Sequence, residues 1–196
     1  MKNKKLIITL VIFVAVQAIA GVLYNRLGDM LQPQGLATAT EPVPETTEAT
    51  APEETEEYRA KAVDFTVKNF DGEDVKLSDY FGKPIVLNFW AYWCGPCQSE
   101  MPEFNARYEQ LGGEVTFLMV HADPDTTQGK SLVVAEGYSF PVVYDESGEA
   151  AANYGISAYP TTFFIDAQGY LQAYYVGAMD GELLQQGIDL IYTPAG

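Results

Sequence analysis

Cys94 and Cys97 are the only cysteines of the 196-residue chain, with Gly95 and Pro96 between them. Two thiols and the lone His121 cannot complete a zinc site without several carboxylates. Two cysteines are also too few for a disulfide-stapled scaffold. The one intramolecular disulfide available joins positions three apart, a loop too short to add much loop-closure stabilisation. The pair therefore reads as reactive rather than structural.

The elements around the pair say how it is held. Residues 84–91, PIVLNFWA, form a short apolar run suited to a strand buried on both faces. Residues 95–111 have helical periodicity and stop at Gly112 and Gly113. Cys94 thus falls where a buried strand ends and a helix begins. Unpaired N–H groups and the helix dipole favour an anion at that place, so Cys94 is expected to have a lowered pKa and to be the nucleophile. Cys97 lies one turn on, more buried and close enough to close a disulfide with Cys94. Pro96 suits the first turn, where its missing N–H costs nothing.

Further along, residues 62–78 alternate weakly about Asp71 and Gly72, as in a hairpin. Strands are expected at 115–120, 140–144, 161–165 and 171–176. Helices are expected near 128–137, 147–154 and 181–192, the last with Asp180 as N-cap. This alternation implies an α/β sandwich about a mixed sheet, with helices on both faces.

Charge divides the chain into three. Residues 1–26 carry four bases and no acid, 27–57 eight acids and no base, and 58–196 seven bases and 19 acids, for a total of −16. Such acidity argues against a nucleic-acid partner. Residues 6–24 hold no charge and follow Lys2, Lys4 and Lys5, the pattern of one transmembrane signal-anchor with a cytoplasmic N-terminus. Ala18, Ile19 and Ala20 also fit a cleavage site, so a removed signal peptide is the rival. No cysteine follows the run to be lipidated. Residues 27–57, rich in Thr, Pro and Glu, cannot bury enough surface to fold and read as a disordered stalk. Residues 58–196 form the domain.

The segment NFWAYWCGPCQSEMPEF resembles the active site of the thioredoxin superfamily, and more narrowly that of the TlpA/ResA-type membrane-anchored thiol–disulfide oxidoreductases. YGISAYPTTFFIDAQGYL resembles the cis-proline strand and hairpin of the same family. The similarity covers residues 62–192. It implies a thioredoxin-like fold, with Cys94 attacking and Cys97 resolving. Pro160, after Tyr159, matches the proline that shapes the substrate groove, and Trp93 and Trp90 match flanking aromatic positions, Trp90 reading equally well as core. Asn88 stands where many thioredoxins carry a proton-moving Asp. Glu100, three residues after Cys97, matches a Glu found near the thiols, and a partly buried carboxylate there would exchange protons near neutrality; a solvated helix-face acid is the alternative. Its replacement by Gln is expected to slow exchange with little effect on stability. His121 reads as a strand-end residue without a role.

The expected function is reduction of disulfides in exported proteins, outside the cytoplasmic membrane, by a cofactor-free CGPC dithiol. The resemblance implies a membrane electron donor of the CcdA/DsbD kind and substrates that include apocytochrome c. Three rivals stay open: a disulfide-forming oxidase, a peroxiredoxin-like peroxidase and a non-catalytic peptide-binding module. The expected site is Cys94, Cys97 and Glu100 for chemistry, with Trp93, Gly95, Pro96, Tyr159 and Pro160 for substrate.

Overall fold

The computed structural model describes residues 37–38 and 60–194. The expected transmembrane segment, and all of the expected stalk except Ala37 and Thr38, lie outside the described residues. Among the described residues no helix is long and apolar enough to cross a membrane.

Among the described residues, eight strands form one mixed sheet: β1 (Ala37–Thr38), β2 (Thr66–Lys68), β3 (Asp74–Lys76), β4 (Ile85–Trp90), β5 (Thr116–His121), β6 (Val142–Tyr144), β7 (Thr161–Ile165) and β8 (Leu171–Val176). Their spatial order is β1-β8-β7-β4-β5-β6-β2-β3. β4 and β5, and β5 and β6, run parallel; β7 runs antiparallel to β4. β1 lies antiparallel to β8, Ala37 opposite Tyr174. The helices are α1 (Gly95–Gln110), α2 (Thr126–Glu136), α3 (Glu149–Asn153) and α4 (Gly181–Ile191). The expected hairpin and every expected strand and helix from 62 onwards are present, with ends displaced by a few residues, as fraying termini allow.

Period-two alternation sends the residues of β4 to two cores. Val86 and Trp90 join Met101 and Phe104 of α1, Val133 of α2 and Leu184 and Ile188 of α4. Ile85, Leu87 and Phe89 join Phe65, Leu77, Phe163 and Ala150 of α3. Helices cover both faces, but unequally: three lie on one side, while the other has only the short α3 and the segment around the β2–β3 hairpin. With both faces covered, all six residues of β4 are buried, which explains the unbroken apolar run of its sequence.

This topology assembles the site. Parallel β4 and β5 end at the same edge of the sheet, and antiparallel β7 begins there. Phe89 pairs with Thr161 and Asn88 with Thr162, so the segment before β7 lies beside the loop that leaves β4 for α1.

Candidate active site

Cys94 is the N-cap of α1, and its Sγ accepts the backbone N–H of Cys97 at 3.2 Å. Pro96 occupies the first turn, where no intrahelical donor is lost. Cys94 and Cys97 are joined by a disulfide, S–S 2.06 Å. Cys97 is fully buried and Cys94 nearly so, while Gly95 and Pro96 are exposed. A thiolate released at Cys94 by reduction would face an N–H group and the positive end of the helix dipole.

The buried stripe of α1 is Cys97, Glu100, Met101 and Phe104, the spacing of one helix face. Glu100 belongs to that stripe and is only 2% exposed, which removes the solvated-acid alternative. Its Oε1 accepts from Asn88 Nδ2 at 2.9 Å and its Oε2 from the Met179 N–H at 2.8 Å. Burial raises its pKa, the Met179 and Asn88 bonds draw it back, and the balance is about 7. Near neutral pH the carboxyl group can therefore take or release a proton one helical turn from Cys97.

The aromatic rim lies around the loop. Trp93 is 60% exposed and donates from Nε1 to Asp123 Oδ2 at 2.8 Å. Its ring meets that of Tyr159 edge-on at 5.8 Å, and the Tyr159 hydroxyl donates to the Ala122 carbonyl. The Tyr159–Pro160 peptide is cis, and the Pro160 carbonyl accepts from the Gly177 N–H. The chain thus brings the eight expected site residues to one edge of the sheet. Trp90, by contrast, is core: it is fully buried and packs against His121 at 4.8 Å.

Three participants escaped the sequence reading. Thr162 accepts from Asn88 at 2.9 Å, Met179 supplies a backbone N–H to Glu100, and Asp123 holds Trp93. Asn88, the single amide of an apolar run, is marked in the sequence by its match to a proton-moving Asp, but nothing local marks Met179, 79 residues from Glu100. His121 is fully buried, neither ring nitrogen has a partner among the described residues, and burial lowers its pKa. Among the described residues no cluster of three His, Cys, Asp or Glu side chains could hold a metal ion. A concavity of about 500 Å³ bordered by Phe70, Tyr80, Val134 and Tyr138 contains none of the residues of the C-x-x-C segment.

The AhpC/TSA family matches residues 58–174. The thioredoxin-like protein YneN of Bacillus subtilis is 33% identical over 133 residues, 66% of this chain and 78% of the relative. The thiol-disulfide oxidoreductase ResA of Bacillus thuringiensis subsp. konkukian is 34% identical over 145 residues, 72% of this chain and 82% of the relative. A solved candidate thiol:disulfide interchange protein DsbE from Chlorobium tepidum superposes with a TM-score of 0.62 at 32% identity, covering 66% of this chain and 94% of that one.

Proposed function

We infer that this chain, which belongs to the AhpC/TSA family of thioredoxin-like domains and is a thiol–disulfide oxidoreductase like its ResA relatives, reduces disulfides of proteins outside the cytoplasmic membrane. The observation that carries this reading is the Cys94–Cys97 disulfide at the N-cap of α1, next to the Trp93–Tyr159 ring pair. In the reduced protein the Cys94 thiolate attacks one sulfur of a substrate disulfide. A mixed disulfide forms and the first substrate sulfur leaves as a thiolate. Glu100 takes the proton of Cys97, directly or through water, and the Cys97 thiolate attacks Cys94 Sγ. The second substrate sulfur leaves, and two electrons have passed from enzyme to substrate. The Trp93, Gly95, Pro96, Tyr159 and Pro160 surface receives the substrate segment.

Return to the dithiol needs a reducing partner. An N-terminal anchor in residues 1–26 would place the domain beside a membrane dithiol donor of the CcdA/DsbD kind, and exported proteins, apocytochromes c among them, would be its substrates. Two measurements test the reading together. The Cys94–Cys97 potential is expected to lie below that of its protein substrates, and the full-length chain is expected to sediment with membranes, with the domain open to protease from outside the cell. A strongly oxidising potential would favour a disulfide-forming oxidase instead. Peroxide turnover without added protein thiols would favour a peroxidase, and full activity of Cys94→Ser a peptide-binding module.

A further inference from the structure

We propose that Asn88 and Thr162 are positioning residues for disulfide exchange: Thr162 holds the Asn88 amide with one N–H aimed at Glu100, and that uncharged amide sets how readily Glu100 takes and gives a proton. The proposal rests on the proton-carrying role assigned to Glu100 above.

Asn88 on β4 and Thr162 on β7 are register partners, and both are fully buried. The amide uses its two hydrogens on two acceptors, Glu100 Oε1 and Thr162 Oγ1, each at 2.9 Å. Its own oxygen has no hydrogen-bond partner among the described residues. An amide in a packed core with both donors engaged and its acceptor idle is arranged for donation. If it turned end for end, its oxygen would face the Glu100 carboxylate and its N–H groups would lose both acceptors. Buried N–H groups without partners are rarer than under-satisfied carbonyls, so Thr162 helps to hold the donating orientation. Packing alone gives no reason for an amide here, since an apolar side chain would fill the space; what it could not do is donate to Glu100 Oε1 and Thr162 Oγ1. The gain falls on Glu100, whose ionised form receives a fixed donor in a medium that otherwise favours the neutral acid.

Among the described residues no charged neighbour supplies that control. The groups on the surrounding elements are Cys97 and Glu103 on α1, His121 on β5, and Asp180 and Glu182 at the start of α4. The causes of the Glu100 shift are burial, the Met179 N–H and the Asn88 amide. The Met179 N–H belongs to the backbone and cannot be removed by a side-chain change. Asn88 and its support Thr162 are the adjustable part. Thr162 also lies two residues after Pro160, so the support of the Asn88 amide and the proposed substrate groove belong to one continuous segment at the start of β7.

The test is a titration of the Glu100 carboxyl ¹³C signal in the full-length oxidised chain, assigned by its loss in Glu100→Gln. The pH–rate profile of disulfide exchange is measured in parallel. A hydrogen bond to a charged group corresponds to about one to two pH units, so Asn88→Ala should raise the midpoint by that amount. Thr162→Val should raise it by less, Thr162→Ser should restore the wild-type value, and the rate profile should move with each midpoint. If Asn88→Ala does not fold, the Thr162 pair decides alone. An unmoved midpoint in Thr162→Val overturns the proposal and leaves the role of Glu100 standing. A Glu100→Gln variant with wild-type rate and pH dependence overturns that role, and the proposal with it.

Discussion

Replacing Glu100 with Gln should remove a loss of stability that the oxidised protein suffers as pH rises, while slowing its chemistry. The carboxyl group titrates at about 7 in the folded protein against an ordinary value of 4.5. Between those values the folded chain binds the proton that the unfolded chain has released. Stability linked to Glu100 is therefore fully present below pH 4.5 and is lost as pH rises through 7. A gap of about 2.5 units corresponds to about 3 kcal/mol at full ionisation, and some 2–3 kcal/mol of it develops between pH 5 and 8.5. Gln carries no charge, so its stability has no such slope. Its amide must meet two donors, the Met179 N–H and the Asn88 amide, and one mismatched buried pair would cost about 1–3 kcal/mol at every pH. The informative quantity is therefore the pH dependence of the difference between the two proteins, in which a constant mismatch cancels. Urea denaturation of wild type and Glu100→Gln at pH 5 and 8.5 measures it, and the variant should gain about 2–3 kcal/mol on wild type across that interval. A constant difference would mean that Glu100 ionises in the folded protein as easily as in water, and the burial argument would fail. The same variant should exchange disulfides more slowly, by up to the 10²–10⁴-fold typical of general acid–base help. The expectation from sequence that this change would hardly touch stability does not survive the burial of the side chain.

Other outcomes follow from the same geometry. Cys97→Ser should accumulate mixed disulfides with substrate through Cys94, whereas Cys94→Ser should trap none; mass spectrometry of thiol-blocked extracts distinguishes the two. His121 is held neutral by burial, so its contribution to stability is present above pH 6.5 and lost as pH falls below it, opposite in sign to Glu100; wild type should lose ground to His121→Phe between pH 7 and 5 in denaturant titrations. Gly187 of α4 leaves room for the Phe164 ring, and an added Cβ would sit 2.0 Å from it. Gly187→Ala should therefore cost about 1–3 kcal/mol by overpacking, more than the helix propensity it gains, and a lower urea midpoint checks this.

The sequence made the dithiol easy to find, because the information is local. A strand, a turn and a helix start lie within about twenty residues, and the apolar run before Cys94 suits a strand buried on both faces. The helix face was equally legible in principle: Cys97, Met101 and Phe104 define a buried stripe, and Glu100 falls on it. The sequence leaves that carboxylate between water and core because charged helix residues are usually solvated, and the donors that make its burial tolerable lie far along the chain. Thr162 and Met179 become partners of this site only through the pairing of β7 with β4 and the docking of α4. Trp90 was undecided for the same reason. Whether a large aromatic lines a groove or fills a core depends on what packs over it, here the His121 ring.

The separation of these parts along the chain bears on how the protein is made. Cys94 and Cys97 need only the first turn of α1 to face each other. Glu100 has its partners 12 residues before it and 79 after it. At ribosomal speeds of about 5–20 residues per second, some 4–16 s pass between the synthesis of Glu100 and that of Met179. During that interval the nascent chain can present a thiol pair whose proton group has not yet been enclosed, and such long-range contacts form late in folding. A ribosome-bound chain halted before β7 would then be oxidised as a substrate by other disulfides, and would turn over disulfides itself only after the last hairpin and α4 had closed over Glu100.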